Sequence, residues 1–399
     1  MAYPYWRLSA FYLFYYACLG TWIPYWPLYV QYIGHSALVI GLTSAVFHST
    51  RIIAPNIWGY ISDSSGERLK IIRLGCFFAF VAILGMLLST KVWVLTFVLL
   101  VFSFFWSAVL PQFEVLTLNY LGSRQAHNYG RVRLWGSIGF IFAVFGCGAI
   151  FNWLPLSTFP WILCAVLLML WWSSLVVPPQ QASPGREVET GQESFLKIAL
   201  KRHVWGYLVA VILMMASFGP YYGFFSILLK DTGYPLISVS LFWCVAIAAE
   251  VLIFVYIRQM YRFVGIRNLL LTSIVLAAIR WLITGAFPEN VALMTFAQTL
   301  HAFSFAAFHA CMIEFIRRLF PQSQHGRGQA MFNSLGYGVG SVLGAVFAGL
   351  VWDDLGATTY FFAAGLALCA FVFAYIATLH QDFYEAPEKS GELNDSSVS

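Results

Sequence analysis

The chain has 399 residues, of which 60% are hydrophobic and only 10% are charged. A soluble domain carries roughly 25% charged residues, so this composition excludes an ordinary soluble enzyme or binding module. The net charge of +5 could suggest a nucleic-acid partner. The basic residues, however, are distributed as membrane topology predicts, and we expect no nucleic-acid partner.

The apolar residues occur in runs of about 20, the length that crosses a bilayer as a helix. Twelve runs separated by short polar loops predict twelve transmembrane helices and an all-α membrane protein. The first six spans cover 8–31, 38–61, 70–89, 92–118, 132–152 and 157–177. The last six cover 204–229, 236–258, 267–287, 290–316, 327–351 and 357–379.

The lysines and arginines are divided unequally between the two sides of such a bundle. Of the 22, eighteen fall on the side of the chain termini, and only Lys91 and Lys230 fall on the other side. Cytoplasmic loops are enriched in basic residues. We therefore predict that both termini are cytoplasmic and that the protein is a multi-pass component of the cell inner (plasma) membrane.

Motifs for enzyme chemistry are missing from the sequence. It has no Walker loop, dinucleotide fingerprint, H-E-x-x-H motif or nucleophile elbow. Its seven cysteines lie in or beside apolar runs, and none forms a C-x-x-C. We predict no enzyme activity, no cofactor and no metal site, and the missing ATP site favours secondary transport.

A polar stretch near the middle divides the chain into two halves. Residues 178–194 are rich in proline, serine, glutamine and charged side chains, which is typical of a flexible linker. The predicted domains are an N-terminal six-helix bundle at 1–178, a cytoplasmic linker at 179–202, a C-terminal six-helix bundle at 203–380 and a disordered cytoplasmic tail at 381–399.

The two halves resemble each other at an offset of 199 residues. Gln31-Tyr32-Ile33-Gly34 corresponds to Lys230-Asp231-Thr232-Gly233, and the same offset carries Arg51 onto Glu250. Two parallel repeats around a central path are typical of transporters that work by alternating access.

Arg51, Glu114, Glu250 and Arg280 are charged residues inside long apolar stretches. A charge at the centre of a bilayer costs roughly 2.5–3.5 kcal/mol on insertion scales. Such residues must pair with one another or face a water-filled path. A balanced polar set inside a membrane protein therefore indicates transport of a small molecule.

The string GYISDSSGER at 59–68 follows the second span. It resembles the signature G-x-x-x-D-x-x-G-x-R between the second and third helices of the major facilitator superfamily, although Ser64 and Glu67 stand where basic residues are common. The resemblance implies the major facilitator fold, with two pseudo-symmetric six-helix bundles. It also implies a conformational latch in this loop. The latch residues are Gly59, Asp63, Gly66 and Arg68.

Further strings resemble the lactose permease branch of that superfamily, and more closely its phenylpropionate permease family. The most specific is YGRVRLWG at 129–136, which opens the fifth span. The resemblance implies that Glu114 and Arg133 grip the substrate. Arg offers a rigid fork of donors and Glu offers acceptors. The alternative is a structural ion pair between the fourth and fifth spans.

The resemblance also implies that Glu250, Arg280 and His301 couple transport to protons. A carboxylate in an apolar cavity gains affinity for protons, and a nearby arginine lowers it again. The lactose permease carries its proton-binding Glu three residues after this histidine, where the present chain has Ser304. Either another group takes the proton, or coupling is absent. His301 could equally be a packing residue.

Aromatic residues crowd the first and seventh spans, where Tyr25 and Tyr222 are predicted to contact substrate. Arg51 could hold a substrate carboxylate or pair across the seam between the second and eleventh spans. We expect a proton symporter that imports a small organic molecule, most simply an aromatic carboxylate such as 3-phenylpropionate. We also expect it to function as a monomer in contact with membrane lipid. Symport of a sugar or nucleoside, and efflux of a small organic molecule, remain alternatives.

Overall fold

The computed structural model describes residues 3–125, 128–179 and 194–383. Most of the predicted linker and of the predicted C-terminal tail lies outside these ranges. The described residues form helices joined by short turns, as the hydropathy pattern predicts.

Six long helices make up the first half of the chain. They are α1 Tyr5–Tyr32, α2 Ala37–Ser65, α3 Arg68–Leu84, α4 Val92–Gln125, α5 Tyr129–Trp153 and α6 Phe159–Leu175. Within α4 the helical geometry is interrupted at Gly122, whose φ of 59° lies in the left-handed region that favours glycine. Each of the first six predicted spans falls on one of these helices.

The second half contains more helices because several predicted spans are interrupted. They are α7 Phe195–Ala199, α8 Arg202–Ser217, α9 Gly219–Asp231, α10 Leu236–Val264, α11 Ile266–Ala286, α12 Val291–Thr299, α13 Phe308–Leu319, α14 His325–Met331, α15 Gly340–Leu355 and α16 Thr359–Ala377. The seventh span breaks at Phe218, just before Pro220, which cannot donate a helix hydrogen bond. Two π-helical segments, Ala302–Ala307 and Phe332–Val339, interrupt the tenth and eleventh spans.

Ten segments of the described chain are long and apolar enough to cross a membrane. The tyrosine-rich helix α1 is not among them, and one segment of 56 residues, Gln322–Ala377, contains both α15 and α16. The protein is therefore a multi-pass helical membrane protein. The count of twelve spans and the cytoplasmic placement of both termini stay predictions.

The 199-residue repeat is visible in the backbone. Helices α2 and α10 each have 29 residues and begin and end at positions related by that offset. Both end at a glycine with positive φ, Gly66 at 68° and Gly265 at 79°. The turns before these helices also match, since Gly34 and Gly233 have φ values of 87° and 100°. Arg51 and Glu250 thus occupy equivalent positions on equivalent helices.

The two halves meet at the end of the bundle that carries the α1–α2 turn. Here the repeat-related residues Gln31 and Lys230 touch, because the Lys230 ammonium donates to the Gln31 side chain at 3.2 Å. Asp353 accepts a hydrogen bond from the backbone N–H of Ala37, the first residue of α2, at 3.3 Å. Further hydrogen bonds between the halves join Gln31 to Asp231 and Cys244 to the Ile141 carbonyl.

Glycine lets α2 and α15 approach closely at the same end. A Cβ atom added to Gly41 would lie 2.6 Å from the carbonyl oxygen of Ala345 and 2.7 Å from the Cα of Gly349. Real Cβ atoms do not approach other atoms so closely, so this contact needs a residue without a side chain. The two halves are therefore in direct backbone contact at this end.

Candidate functional site

Arg280 is the most deeply buried charge in the second half, with no exposed surface. Its guanidinium donates to Gln298 Oε1 at 3.2 Å and to Ser304 Oγ at 3.3 Å, and it contacts His301 Nδ1 at 3.0 Å. The ring of Tyr221 covers it at 4.0 Å. These polar and aromatic contacts replace water around a charge whose burial would otherwise cost several kcal/mol.

The arginine dictates the hydrogen position on His301. A guanidinium only donates, so His301 Nδ1 must accept and the imidazole proton sits on Nε2. That nitrogen lies 3.6 Å from Glu250 Oε2, slightly beyond hydrogen-bond distance. Glu250, His301 and Arg280 therefore form a continuous series of polar groups. Glu250 lies in α10, His301 just after α12, and Arg280 in α11. The structure brings the three predicted coupling residues together.

Two further residues complete this cluster: Ser304, which the sequence analysis noted only as the replacement of a glutamate, and Gln298, which it did not consider. Ser304, at the position where the lactose permease carries its glutamate, accepts from Arg280. Gln298 accepts from both Arg280 and the Tyr221 hydroxyl. The Arg280 Nε and Gln298 Nε2 atoms have no hydrogen-bond partner among the described residues. No carboxylate lies within 4.0 Å of Arg280 in the described chain, so Glu250 reaches it only through His301.

A column of rings continues from His301 along the tenth span. His301 stacks on Phe305 with ring centroids 5.3 Å apart, and Phe305 stacks on His309 at 6.3 Å. His309 Nδ1 is 2.7 Å from the hydroxyl of Tyr337. Phe305 and Tyr337 both belong to π-helical segments, which are rare and frequent at functional sites.

In the first half, Arg133 is enclosed by tyrosines. Its guanidinium donates to the Tyr16 hydroxyl and lies 3.9 Å above the Tyr16 ring, with the Tyr12 ring at 5.7 Å. A Cβ on Gly136, one turn further along α5, would lie 2.8 Å from Arg133 Nη1, so glycine makes room for the guanidinium. The arginine is thus held as a rigid donor.

Glu114 lies in the same polar region but is not paired directly with Arg133. It accepts from the Tyr129 hydroxyl at 3.3 Å, and Tyr12 packs edge-on against Tyr129. The alternative interpretation, a structural Glu114–Arg133 ion pair, is not seen within 4.0 Å among the described residues. Tyrosines take up the donors and acceptors that a direct pair would use.

Charges of the two halves act on each other across the centre. Glu250 interacts electrostatically with Arg133, and Tyr222 lies within range of both Glu250 and Arg51. Tyr222 is half-buried and stacks on Phe218 at 5.6 Å. Arg133 and Tyr222 are thus within electrostatic range of Glu250, and Arg51 is within range of Tyr222.

Arg51 and Tyr25 are placed differently. Arg51 is half-buried and lies 5.3 Å from the Phe47 ring, and no acid lies within ion-pair distance of it in the described structure. Tyr25 is fully buried, and its hydroxyl donates to the Val144 carbonyl at 2.7 Å. In this conformation the Tyr25 hydroxyl joins α1 to α5, close to Ser240 of the second half.

The 59–68 loop forms a compact set of contacts at the opposite end of the bundle. Asp63 and Arg68 form an ion pair at 2.6 Å, and Arg68 also donates to Gln112 of α4. Gly66 ends α2 with φ of 68°, a conformation in which a side chain is strained. Gly59 faces Gln112, with 4.0 Å between its added Cβ and Nε2. All these contacts stay within the first half.

Comparisons with known proteins agree along nearly the whole chain. The family model described as MFS_1 like family matches residues 5–364. A probable 3-phenylpropionic acid transporter of Escherichia coli (strain K12) is 28% identical over 382 residues, covering 91% of this chain and 95% of that protein. A maltose permease of Geobacillus stearothermophilus is 23% identical over 367 residues, with 90% and 91% covered.

Solved structures share the fold. The crystal structure of the nucleoside transporter NupG superposes with a TM-score of 0.81 at 15% identity, covering 94% of this chain and 99% of that one. The POT family transporter PepTSo gives a TM-score of 0.75 at 10% identity, with 95% of this chain and 98% of that one covered. At such identities the likeness concerns the fold alone.

Proposed function

Because the chain belongs to the MFS_1 like family, and is thus a membrane transporter and not an enzyme, we propose that it imports a small aromatic carboxylate together with protons. The observation that carries this proposal is the buried series Glu250–His301–Arg280, with Arg133 acting on Glu250 from the other half. We further propose an inner-membrane monomer with both termini in the cytoplasm.

Proton coupling follows from what each group can do. Arg280 stays charged and fixes the His301 tautomer, so the imidazole N–H faces Glu250. Glu250 can be neutral when Arg133 is distant and charged when Arg133 is near. Because these two residues belong to different halves, a rocking motion that changes their separation would load or release one proton. Ser304 cannot ionise, so Glu250 takes the proton in this scheme.

The substrate class rests on the positive charges around the centre. Arg133 and Arg51 supply two guanidinium groups on the first half, and a guanidinium binds a carboxylate with two parallel hydrogen bonds. The rings of Tyr16, Tyr222 and Phe305 give apolar faces for an aromatic group. The similarity to a probable 3-phenylpropionic acid transporter supports the same class.

A sugar or nucleoside is the second candidate. Glu114 accepts from a tyrosine hydroxyl and could accept from a substrate hydroxyl in the same way. The similarity to a maltose permease supports this alternative more weakly, at 23% identity. The direction of transport is also part of the proposal, since alternating access works for efflux as well as for uptake.

Uptake into right-side-out vesicles with an imposed inward proton gradient tests these proposals. Labelled 3-phenylpropionate should accumulate in vesicles with the protein, and a protonophore should abolish accumulation. Labelled galactoside and labelled uridine serve as competing substrates. Accumulation of either in place of 3-phenylpropionate would overturn the substrate class, and accumulation that ignores the protonophore would overturn proton coupling.

Glu250→Gln tests the proposed proton carrier in the same vesicles. An amide cannot take up a proton, so gradient-driven accumulation should fall to the level of vesicles without the protein. Exchange of internal for external substrate should persist in part, since it needs no net proton movement. Glu289→Gln is the matched control, because Glu289 is exposed outside the spans. Normal accumulation by Glu250→Gln would remove Glu250 from the coupling role.

A further inference from the structure

Three side chains of types that can bind a metal ion lie close together in the second half, away from the central site. His203 lies in the first turn of α8, and His380 and Asp382 follow the last helix, α16. Each offers one ligand atom, and these atoms all lie within 4.8 Å of one another. The histidines are 177 residues apart in the sequence, so no local sequence motif predicts this group.

The distances fit the edges of a metal coordination shell. His203 Nε2 lies 2.9 Å from Asp382 Oδ2, and His380 Nδ1 lies 3.3 Å from Asp382 Oδ1. Ligands about 2.0–2.2 Å from a Zn²⁺ ion are separated by roughly 3.0 Å across a right angle and roughly 3.4 Å across a tetrahedral angle. Both observed separations fall near this range.

His203 is not satisfied as an ordinary hydrogen-bond donor. Although its Nε2 lies close to Asp382, this buried atom makes no hydrogen bond of acceptable direction in the described structure. Two atoms that share a metal ion point toward the ion and not toward each other. The close contact is therefore compatible with a pair of ligands as well as with an ion pair.

The segment after α16 is fixed firmly enough to present the ligands. Phe383 is buried and packs against the rings of Tyr207 and Phe315, and its carbonyl accepts from Arg318 at 2.8 Å. The His203 and His380 rings lie parallel, 3.8 Å apart, and His380 Nδ1 accepts a hydrogen bond from the backbone N–H of Asp382 at 3.3 Å. The lone pairs of two stacked imidazoles do not point at one ion, so binding a shared ion requires the half-exposed His380 ring to turn out of this stack.

We propose that His203, His380 and Asp382 bind a divalent transition-metal ion such as Zn²⁺. Two imidazoles and one carboxylate are ligands that this ion prefers, and they leave a fourth position for water. Lys201 lies 3.6 Å from Asp382 Oδ2 and balances its charge when no cation is bound. A bound ion would fasten the segment after α16 to the start of α8. The proposal is independent of the transported substrate.

Zinc binding to the full-length protein tests this site. The protein is purified in detergent through a tag that contains no histidine, stripped with a chelator and titrated with Zn²⁺ by calorimetry. The wild-type chain should bind one ion, and His203→Ala and His380→Ala should each weaken binding about tenfold or more, since even an outer-shell partner contributes 10- to 100-fold. Co²⁺ should give the visible absorption of a nitrogen-ligated ion.

Controls separate this site from adventitious binding and from unfolding. His325→Ala should leave the affinity unchanged, because His325 lies in α14, outside the three-residue group. Asp382→Asn preserves the size of the side chain and should also weaken binding in a protein that elutes normally. Absence of saturable binding in the wild-type chain would overturn the proposal. So would binding that survives the His380→Ala, Asp382→Asn double change.

Discussion

At the scale of single residues, Arg280 determines how its neighbours behave. It has no exposed surface and no acid within ion-pair distance in the described chain. Removing one partner from a buried charge costs more than the partner itself contributes. Gln298, His301 and Ser304 are therefore constrained together, and a change in any one of them leaves donors of Arg280 unsatisfied.

Arg133→Lys tests the proposed substrate grip. Lysine is a single point charge and cannot both donate to Tyr16 and present a flat fork to a carboxylate. We expect the Kd for 3-phenylpropionate, measured by calorimetry on purified protein, to rise about tenfold or more, or about 1.4 kcal/mol. Arg131→Lys is the matched control, since Arg131 is exposed two residues earlier on α5. Wild-type affinity in Arg133→Lys would argue for a purely structural role.

The sequence identifies the charged residues better than their partners. A charge inside an apolar run is conspicuous because its burial is costly, which is why Arg51, Glu114, Glu250 and Arg280 stand out. Which groups lie beside it depends on helix rotation and depth, and neither can be read from composition. Tyr16 and Tyr129, which separate Arg133 from Glu114, belong to aromatic-rich segments where most tyrosines only pack.

At the scale of the helices, hydropathy predicts position well and interruptions poorly. The predicted span 236–258 falls within α10, Leu236–Val264, since apolar length determines where a helix can cross the bilayer. The π-helical segments at 302–307 and 332–339 leave no trace in hydropathy. They change hydrogen-bond register and not composition, so they could not be predicted.

Gly41→Ala tests the close approach of α2 and α15. Alanine normally stabilises a helix by about 1 kcal/mol relative to glycine, but here its methyl group would meet the Ala345 carbonyl at 2.6 Å. We expect a lower Tm and a more accessible α1–α2 end, measured by thermal unfolding and thiol labelling. Gly146→Ala on α5 is the control, since nothing lies within 4 Å of its added Cβ, and it should be neutral or stabilising. Equal effects of both changes would contradict the close-contact interpretation.

At the scale of the whole molecule, polar contacts join the two halves at the end that carries the α1–α2 turn. The Gln31–Lys230 and Ala37–Asp353 hydrogen bonds cross between the halves there, whereas the Asp63–Arg68 pair at the opposite end lies within the first half. Both crossing hydrogen bonds can exchange with water, which would let the halves separate and rejoin at this end.

Membrane orientation is tested by thiol labelling in a background without the seven native cysteines. Lys91→Cys and Ser64→Cys place single thiols at exposed positions in the α3–α4 turn and at the end of α2. In right-side-out vesicles, a membrane-impermeant maleimide should label position 91 and spare position 64, and inverted vesicles should give the reverse. Labelling of position 64 alone in right-side-out vesicles would place both termini outside the cell.

Arg51 and Glu250 sit at the same place on two copies of one helix, yet they carry opposite charges. The two equivalent helices therefore carry an asymmetric distribution of charge. A substrate with a charged group at one end and a neutral body would bind between these two positions in one preferred orientation. Only that orientation places its charge beside the side chain of opposite sign. Exchanging the two residues should reverse the orientation in which the same substrate binds.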